Sequence, residues 1–274
     1  MKNETATFET SGGLTLFEQR WSPDGPSRAV VAIVHGYAEH SGRYEWTAAR
    51  LTARGYAAEA LDLRGHGRSG GERVFVNSFD EYFDDVERFL ARVRERNPGL
   101  PVFLFGHSMG GGVVAGFTIA RKPALAGVLL SGAAMLGPRP AAGPGPSNPP
   151  RPPGPLPAST ISRDPAVVAA YESDPLVYRG APRTDRAAAM GAAYDLVQKG
   201  MESITLPLLI MHGTGDLLVP FAGSRVLMER AASKDKTLKL YEGLYHEILN
   251  EPEKDQVVAD ILAWLDVRTS PTRG

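Results

Sequence analysis

The sequence predicts an α/β fold: a mostly parallel central sheet with helices on both faces. Three observations carry this. AVVAIVHG (29–36), PVFLFG (101–106), AGVLLSG (126–132) and LPLLIMHG (206–213) are apolar runs of strand length without polar alternation, as in strands covered on both faces. Helix-like segments separate them, and strands alternating with helices give βαβ units and a parallel sheet. With 43% hydrophobic and 22% charged residues in 274, the chain has the mix of a soluble globular protein and the length for a sizeable core.

The elements follow in order. TATFET (5–10) and LTLFEQRW (14–21) flank a Ser-Gly-Gly turn and read as a hairpin. A helix is expected over 44–54, then a strand in AAEALDL (57–63). The helix over 79–97 has Ser78 as its cap, Glu81 three residues on as in a capping box, and Gly99-Leu100-Pro101 as its end. An almost wholly apolar helix follows near 109–121. Asp164-Pro165 opens a short helix, and a second near 184–199 ends at Gly200. TLKLYEG (237–243) is the last strand and 253–267 the last helix.

One stretch breaks the alternation. Residues 143–157 read GPGPSNPPRPPGPLP, and ten of the 22 residues at 137–158 are proline. Proline fixes φ and donates no backbone N–H, so neither a strand interior nor an ordinary helix is expected there. Such a run either links two domains or interrupts one.

Several function classes drop out. A net charge of −1 carries no basic excess for nucleic acid. The absence of cysteine excludes disulfides, thiolate metal sites and a cysteine nucleophile. No HExxH pattern is present, and GHGRSGG lacks the lysine and spacing of a phosphate loop, so no metal or cofactor is expected. The polar start MKNETATFETSGG has no apolar signal region, and no run reaches membrane-span length; a cytoplasmic protein is expected.

Nucleophilic serine chemistry on this fold needs G-x-S-x-G between a strand and a helix. The glycines permit a strained turn that lifts the hydroxyl above the carboxyl edge of the sheet. The pattern occurs twice, as GRSGG (67–71) and GHSMG (106–110). Ser69 follows a polar loop with no helix after it and reads as a tight turn. Ser108 follows PVFLFG and opens MGGGVVAGFTIA, the required strand–turn–helix. A serine hydroxyl also needs a histidine to take its proton and a carboxylate to orient that histidine, in the order Ser, acid, His. His246 lies in a loop just after TLKLYE. Asp216 lies in the turn GTGD after LLIMHG. His212 precedes any downstream acid and reads as structural; Asp235 reads as surface, and Asp164 and Asp174 as cap or turn residues. The expected triad is Ser108, Asp216 and His246. The expected oxyanion donors are the backbone N–H groups of Met109, at a helix N-terminus, and of Tyr37, in the loop after AVVAIV.

These segments, namely VHGYAEHSGRY, LDLRGHGRSGGERV, FGHSMGGGV, SRDPAVVAAYESDPLV, LLIMHGTGDLLVP and DKTLKLYEGLYHEILNEPEKDQV, together resemble the monoacylglycerol lipase branch of the α/β-hydrolases. The resemblance runs from about residue 14 to 267 and leaves the proline region unmatched. It implies an α/β-hydrolase fold and hydrolysis of glycerol monoesters of fatty acids through an acyl-enzyme, without a cofactor. A general carboxylesterase or a lysophospholipase is the alternative. It also implies that Glu39 and Arg43 lie near the glycerol head group, where a structural ion pair supporting the oxyanion loop would use the same residues. Leu249 stands where some members carry a second histidine. A single triad spans the proline stretch, so that stretch interrupts one domain: a discontinuous core, 1–132 and 201–274, and a cap, 133–200. The cap would make transient contact with a membrane or micelle surface. Its proline-rich part, 137–158, is expected to be extended, either as a neutral loop shortening or as a more open acyl entrance.

Overall fold

The computed structural model describes residues 1–10, 12–135, 156–180 and 187–269. Among these residues eight strands form one sheet: β1 (Lys2–Glu9), β2 (Thr15–Ser22), β3 (Ala29–Val34), β4 (Tyr56–Leu61), β5 (Val102–His107), β6 (Gly127–Ser131), β7 (Leu208–Gly213) and β8 (Lys236–Tyr241), in the spatial order β1-β2-β4-β3-β5-β6-β7-β8. β1 and β2 are the expected hairpin, and β2 also runs antiparallel to β4; every other pairing is parallel. The order reverses at β3, whose neighbours are β4 and β5. Open α/β sheets leave a crevice beyond the strand carboxyl ends at such a reversal, and ligands bind there.

The helices are α1 (Glu45–Ala53), α2 (Asp80–Arg96), α3 (Met109–Arg121), α4 (Pro165–Ser173), α5 (Ala187–Gly200), α6 (Ala222–Arg230) and α7 (Lys254–Thr269). The central strands are buried on both faces and feed two cores. Val30, Ala32 and Val34 of β3 face Phe83, Phe89, Val113 and Phe117, while Val31 and Ile33 face Leu51, Ile261 and Trp264. This is why the strand runs show no alternation. In α2, Tyr82, Phe83, Val86, Phe89, Leu90 and Val93 recur at helical spacing and are all buried. Truncating Phe89 or Phe117 to alanine would cost about 3–5 kcal/mol.

The helix expected over 44–54 is α1, Glu45–Ala53, and a 3-10 turn, Ser41–Tyr44, capped by His40, precedes it. One expectation shifts. At α2 the reciprocal capping box does not form. Ser78 Oγ accepts from Asp80 N–H (3.2 Å), and Glu81 accepts from Asn77 N–H (3.2 Å), one residue earlier than the box requires. Phe79 is already in the right-handed helical region and packs edge-on against Tyr82 in the core, so apolar burial sets the helix entry.

Among the described residues between β6 and β7 lie α4, α5 and two 3-10 turns. Asp164 caps α4 by accepting from Ala166 N–H (2.9 Å) ahead of Pro165. Glu247 N–H donates to Ile161 O (2.8 Å) and Ser162 Oγ–H to Asn250 O (2.9 Å), tying the start of this segment to the loop after β8. α3 is buried from Met109 to Thr118 because the sheet lies under it and α5 over it. The expectation for the proline-rich part of 137–158 falls outside the described residues up to 155. Of its last residues, Ala158 opens a 3-10 turn, Ala158–Thr160.

Candidate active site

The turn between β5 and α3 is built as the motif requires. Ser108 has φ 53° and ψ −118°, a strained conformation for a residue with a Cβ. Its amide donates to Ser131 O (2.9 Å), and its carbonyl accepts from Gly112 and Ala134 N–H (both 3.1 Å). Both motif glycines are there for space. A Cβ on Gly106 would stand 2.6 Å from Gly110 O, and one on Gly110 would stand 2.2 Å from His35 O.

The three residues expected to act together meet at the carboxyl edge of the sheet. His246 Nε2 is 2.7 Å from Ser108 Oγ, and His246 Nδ1 is 2.6 Å from Asp216 Oδ2. Asp216 Oδ1 accepts from the N–H groups of Leu218 (2.8 Å) and Val219 (2.9 Å). Burial pushes the Asp216 carboxyl up, but His246 and two ring hydrogen bonds outweigh it and hold the group well below the usual carboxylate range. Burial pulls His246 down; the Asp216 carboxylate outweighs that and raises it.

His35 fixes the loop after β3. Its Nε2 accepts from Leu63 N–H (2.9 Å), so Nδ1 carries the hydrogen and donates to Gly36 O (2.7 Å). In a trans peptide the next N–H, that of Tyr37, points opposite to this carbonyl. A Cβ built on Gly36 would stand 3.1 Å from Ser108 Cβ, so this backbone lies directly against the serine. Met109 opens α3 on the other side.

Glu39 and Arg43 are bound into the protein. Glu39 Oε1 accepts from Gly36 N–H (2.6 Å) and Tyr44 OH (2.8 Å), and Oε2 pairs with Arg43 (3.0 Å). Arg43 also makes a two-pronged pair with Glu247 (2.6 and 2.7 Å) and lies over the Tyr171 ring. Burial raises the Glu39 carboxyl, but Arg43 outweighs it and holds the group low.

The other candidates separate as follows. Ser69 does not line the cavity at Ser108: its hydroxyl donates to Asp62 O and accepts from Phe17 N–H, closing a turn. Asp174 pairs with His40 (2.8 Å) and accepts from Leu176 N–H (2.8 Å). Asp235 pairs with Arg268 at the surface. His107 is buried beside His246, with ring centroids 4.8 Å apart; burial first and His246 second lower it to about 4. His212 is not remote: its Nε2 is 3.0 Å from Asp216 Oδ2. Sequence reasoning missed Glu247 and this contact. Glu247 adjoins His246 in sequence, and His212 precedes Asp216 by four residues, but neither spacing names a partner.

Ser108 opens into a cavity with about 930 Å³ of empty space, mouth included. Its wall is apolar at Phe79, Met109, Leu156, Ile161, Met190, Val197 and Leu218, and polar at Glu39, Tyr171, His246 and Glu247. The Tyr171 hydroxyl is buried and has no hydrogen-bond partner among the described residues. Those residues hold no group of three or more His, Cys, Asp or Glu side chains suited to a metal, and no helix long and apolar enough to cross a membrane.

A sheet of this order, with a strained serine between β5 and α3 and a histidine bonded to it, defines a serine hydrolase of the α/β type. The family model described as serine aminopeptidase, S33 matches residues 25–253. The chain is 41% identical to the monoacylglycerol lipase of Mycolicibacterium smegmatis, covering 94% of this chain and 95% of that one. It is 37% identical to the monoglyceride lipase of Homo sapiens, over 94% and 89% of the two chains. The crystal structure of Paleococcus ferrophilus monoacylglycerol lipase superposes with a TM-score of 0.77 at 29% identity, covering 98% and 100%. The chain belongs to the monoacylglycerol lipase family of the α/β-hydrolases.

Proposed function

We propose that this enzyme hydrolyses monoacylglycerols through an acyl-enzyme on Ser108. The observation that carries the reading is the line from Ser108 Oγ through His246 to Asp216, opening into a cavity that is apolar along most of its wall and polar at Glu39, Tyr171 and Glu247. An amphipathic ester fits such a wall. The acyl chain lies along Met190, Val197 and Leu218, and the glycerol hydroxyls meet the unpartnered Tyr171 hydroxyl and the remaining acceptor capacity of Glu39. Arg43 holds Glu39 in place.

His246 takes the Ser108 proton as Oγ attacks the ester carbonyl, and Asp216 stabilises the imidazolium. The N–H groups of Tyr37 and Met109 receive the oxyanion. Glycerol leaves with the proton from His246. Water, deprotonated by the same ring, then attacks the acyl-enzyme and releases the fatty acid, restoring Ser108.

The division into a core, 1–132 and 201–274, and a cap, 133–200, belongs to the same proposal. So do a transient contact of that cap with a lipid surface and a cytoplasmic location. The test is kcat/KM for monoacylglycerols from butyryl to stearoyl, with p-nitrophenyl butyrate and a diacylglycerol as controls. A maximum at octanoyl or longer with little diacylglycerol hydrolysis is expected. A maximum at the shortest esters would make the enzyme a general carboxylesterase.

A further inference from the structure

His212 and Ser224 are buried completely, and the mechanism above uses neither. His212 is the penultimate residue of β7 and Ser224 lies in the first turn of α6, on either side of the loop that carries Asp216. His212 Nε2 faces two acceptors, Asp216 Oδ2 (3.0 Å) and Val219 O (3.1 Å), so Nε2 carries the hydrogen. Nδ1 is 2.7 Å from Ser224 Oγ and accepts from its hydroxyl. The tautomer is thereby set from both sides of the ring.

The oxygen that His212 reaches is the one that His246 reaches. Oδ1 is held by two backbone amides and Oδ2 by two imidazoles, so every strong direction around the carboxylate is used. We propose that His212, with its tautomer set by Ser224, is a positioning residue that fixes the plane of the Asp216 carboxylate and takes a share of its charge, and so tunes the basicity of His246. This rests on the assignment of Ser108, Asp216 and His246 to catalysis.

The physical effect has a sign. Each N–H aimed at Oδ2 places partial positive charge beside the imidazolium that must form on His246. The charged and titratable groups facing His246 are Asp216 from the β7 loop, His107 from the serine turn, Glu39 from the loop after β3, and Glu247 beside it in the chain. Removing the His212 donor leaves Asp216 a stronger partner for the imidazolium, so His246 becomes harder to deprotonate. The carboxylate also loses one anchor, and small misplacements of catalytic groups are costly in rate.

The experiment is the pH dependence of kcat/KM on p-nitrophenyl butyrate for the full-length wild type, His212→Phe, His212→Gln and Ser224→Ala, with melting temperatures as fold controls. His212→Phe should lower the plateau by about tenfold to a hundredfold and move the acid limb to higher pH. His212→Gln sets an amide N–H near the Nε2 position, so it should recover most of the rate and the wild-type limb. Ser224→Ala frees the ring to change tautomer and should move the limb in the same direction with a smaller loss. An unchanged limb in folded His212→Phe would overturn the proposal, as would equal losses in the Phe and Gln variants. If His212→Phe does not fold, Ser224→Ala decides, and a wild-type limb there overturns it. A wild type that neither cleaves the ester nor reacts with a fluorophosphonate would instead sink the catalytic assignment itself.

Discussion

Arg43 grips Glu247 with two hydrogen bonds, 2.6 and 2.7 Å, across 204 residues of chain. Glu247 is the neighbour of His246, and Arg43 also holds Glu39, which accepts the amide of Gly36. One guanidinium therefore links the loop after β3 to the loop that carries His246. Arg43→Met leaves two buried carboxylates without their cation, and breaking a buried pair from one side costs about 3–5 kcal/mol. Urea unfolding should show that loss. Because both loops loosen, kcat should fall alike on monoacylglycerol and on p-nitrophenyl butyrate; a loss confined to the glyceride would make Arg43 a head-group contact instead.

Tyr171→Phe separates the head group from the chemistry. The hydroxyl has no partner among the described residues, so its removal leaves no protein group unsatisfied. KM for a monoacylglycerol should rise by about threefold to tenfold, the worth of one neutral hydrogen bond, with kinetics on p-nitrophenyl butyrate unchanged. Equal effects on both substrates would contradict a head-group role.

The raised His246 gives a pH dependence with a worked sign. Only the neutral ring can accept the Ser108 proton, so kcat/KM should climb with pH along a limb centred above the ordinary histidine value of about 6.5. Linkage runs the other way. A group whose pKa is raised on folding contributes stability that is complete below its unfolded value and is lost as pH rises through its folded one. Melting temperatures across that window should therefore decline more in the wild type than in His246→Gln, and a steeper decline in the variant would reverse the assignment.

Ser108 pays for its position with backbone strain of about 1–3 kcal/mol. Ser108→Gly relieves it, since glycine adopts positive φ freely. The variant should melt about 2–4 °C higher while losing about four or more orders of magnitude in kcat. A lower melting temperature, measured by calorimetry, would mean the lost Cβ contacts outweigh the strain.

The sequence by itself determined the parallel sheet, the serine turn and which serine, carboxylate and histidine meet at the edge of the sheet. Those features are local: continuous apolar runs require two covered faces, and the motif glycines are demanded by backbone contacts within the same turn and with the strand beside it. Ser69 could be told from Ser108 for the same reason, because strand and helix flank only one of them. What only the tertiary structure decided is non-local. Spacing could not show that Arg43 would find Glu247, that His212 would reach the oxygen already bound by His246, or that Glu81 would bond the amide of Asn77 instead of that of Ser78. Ion-pair partners and ring tautomers depend on which groups the folded chain brings within about 3 Å, and distances across the sheet are not written in sequence separation.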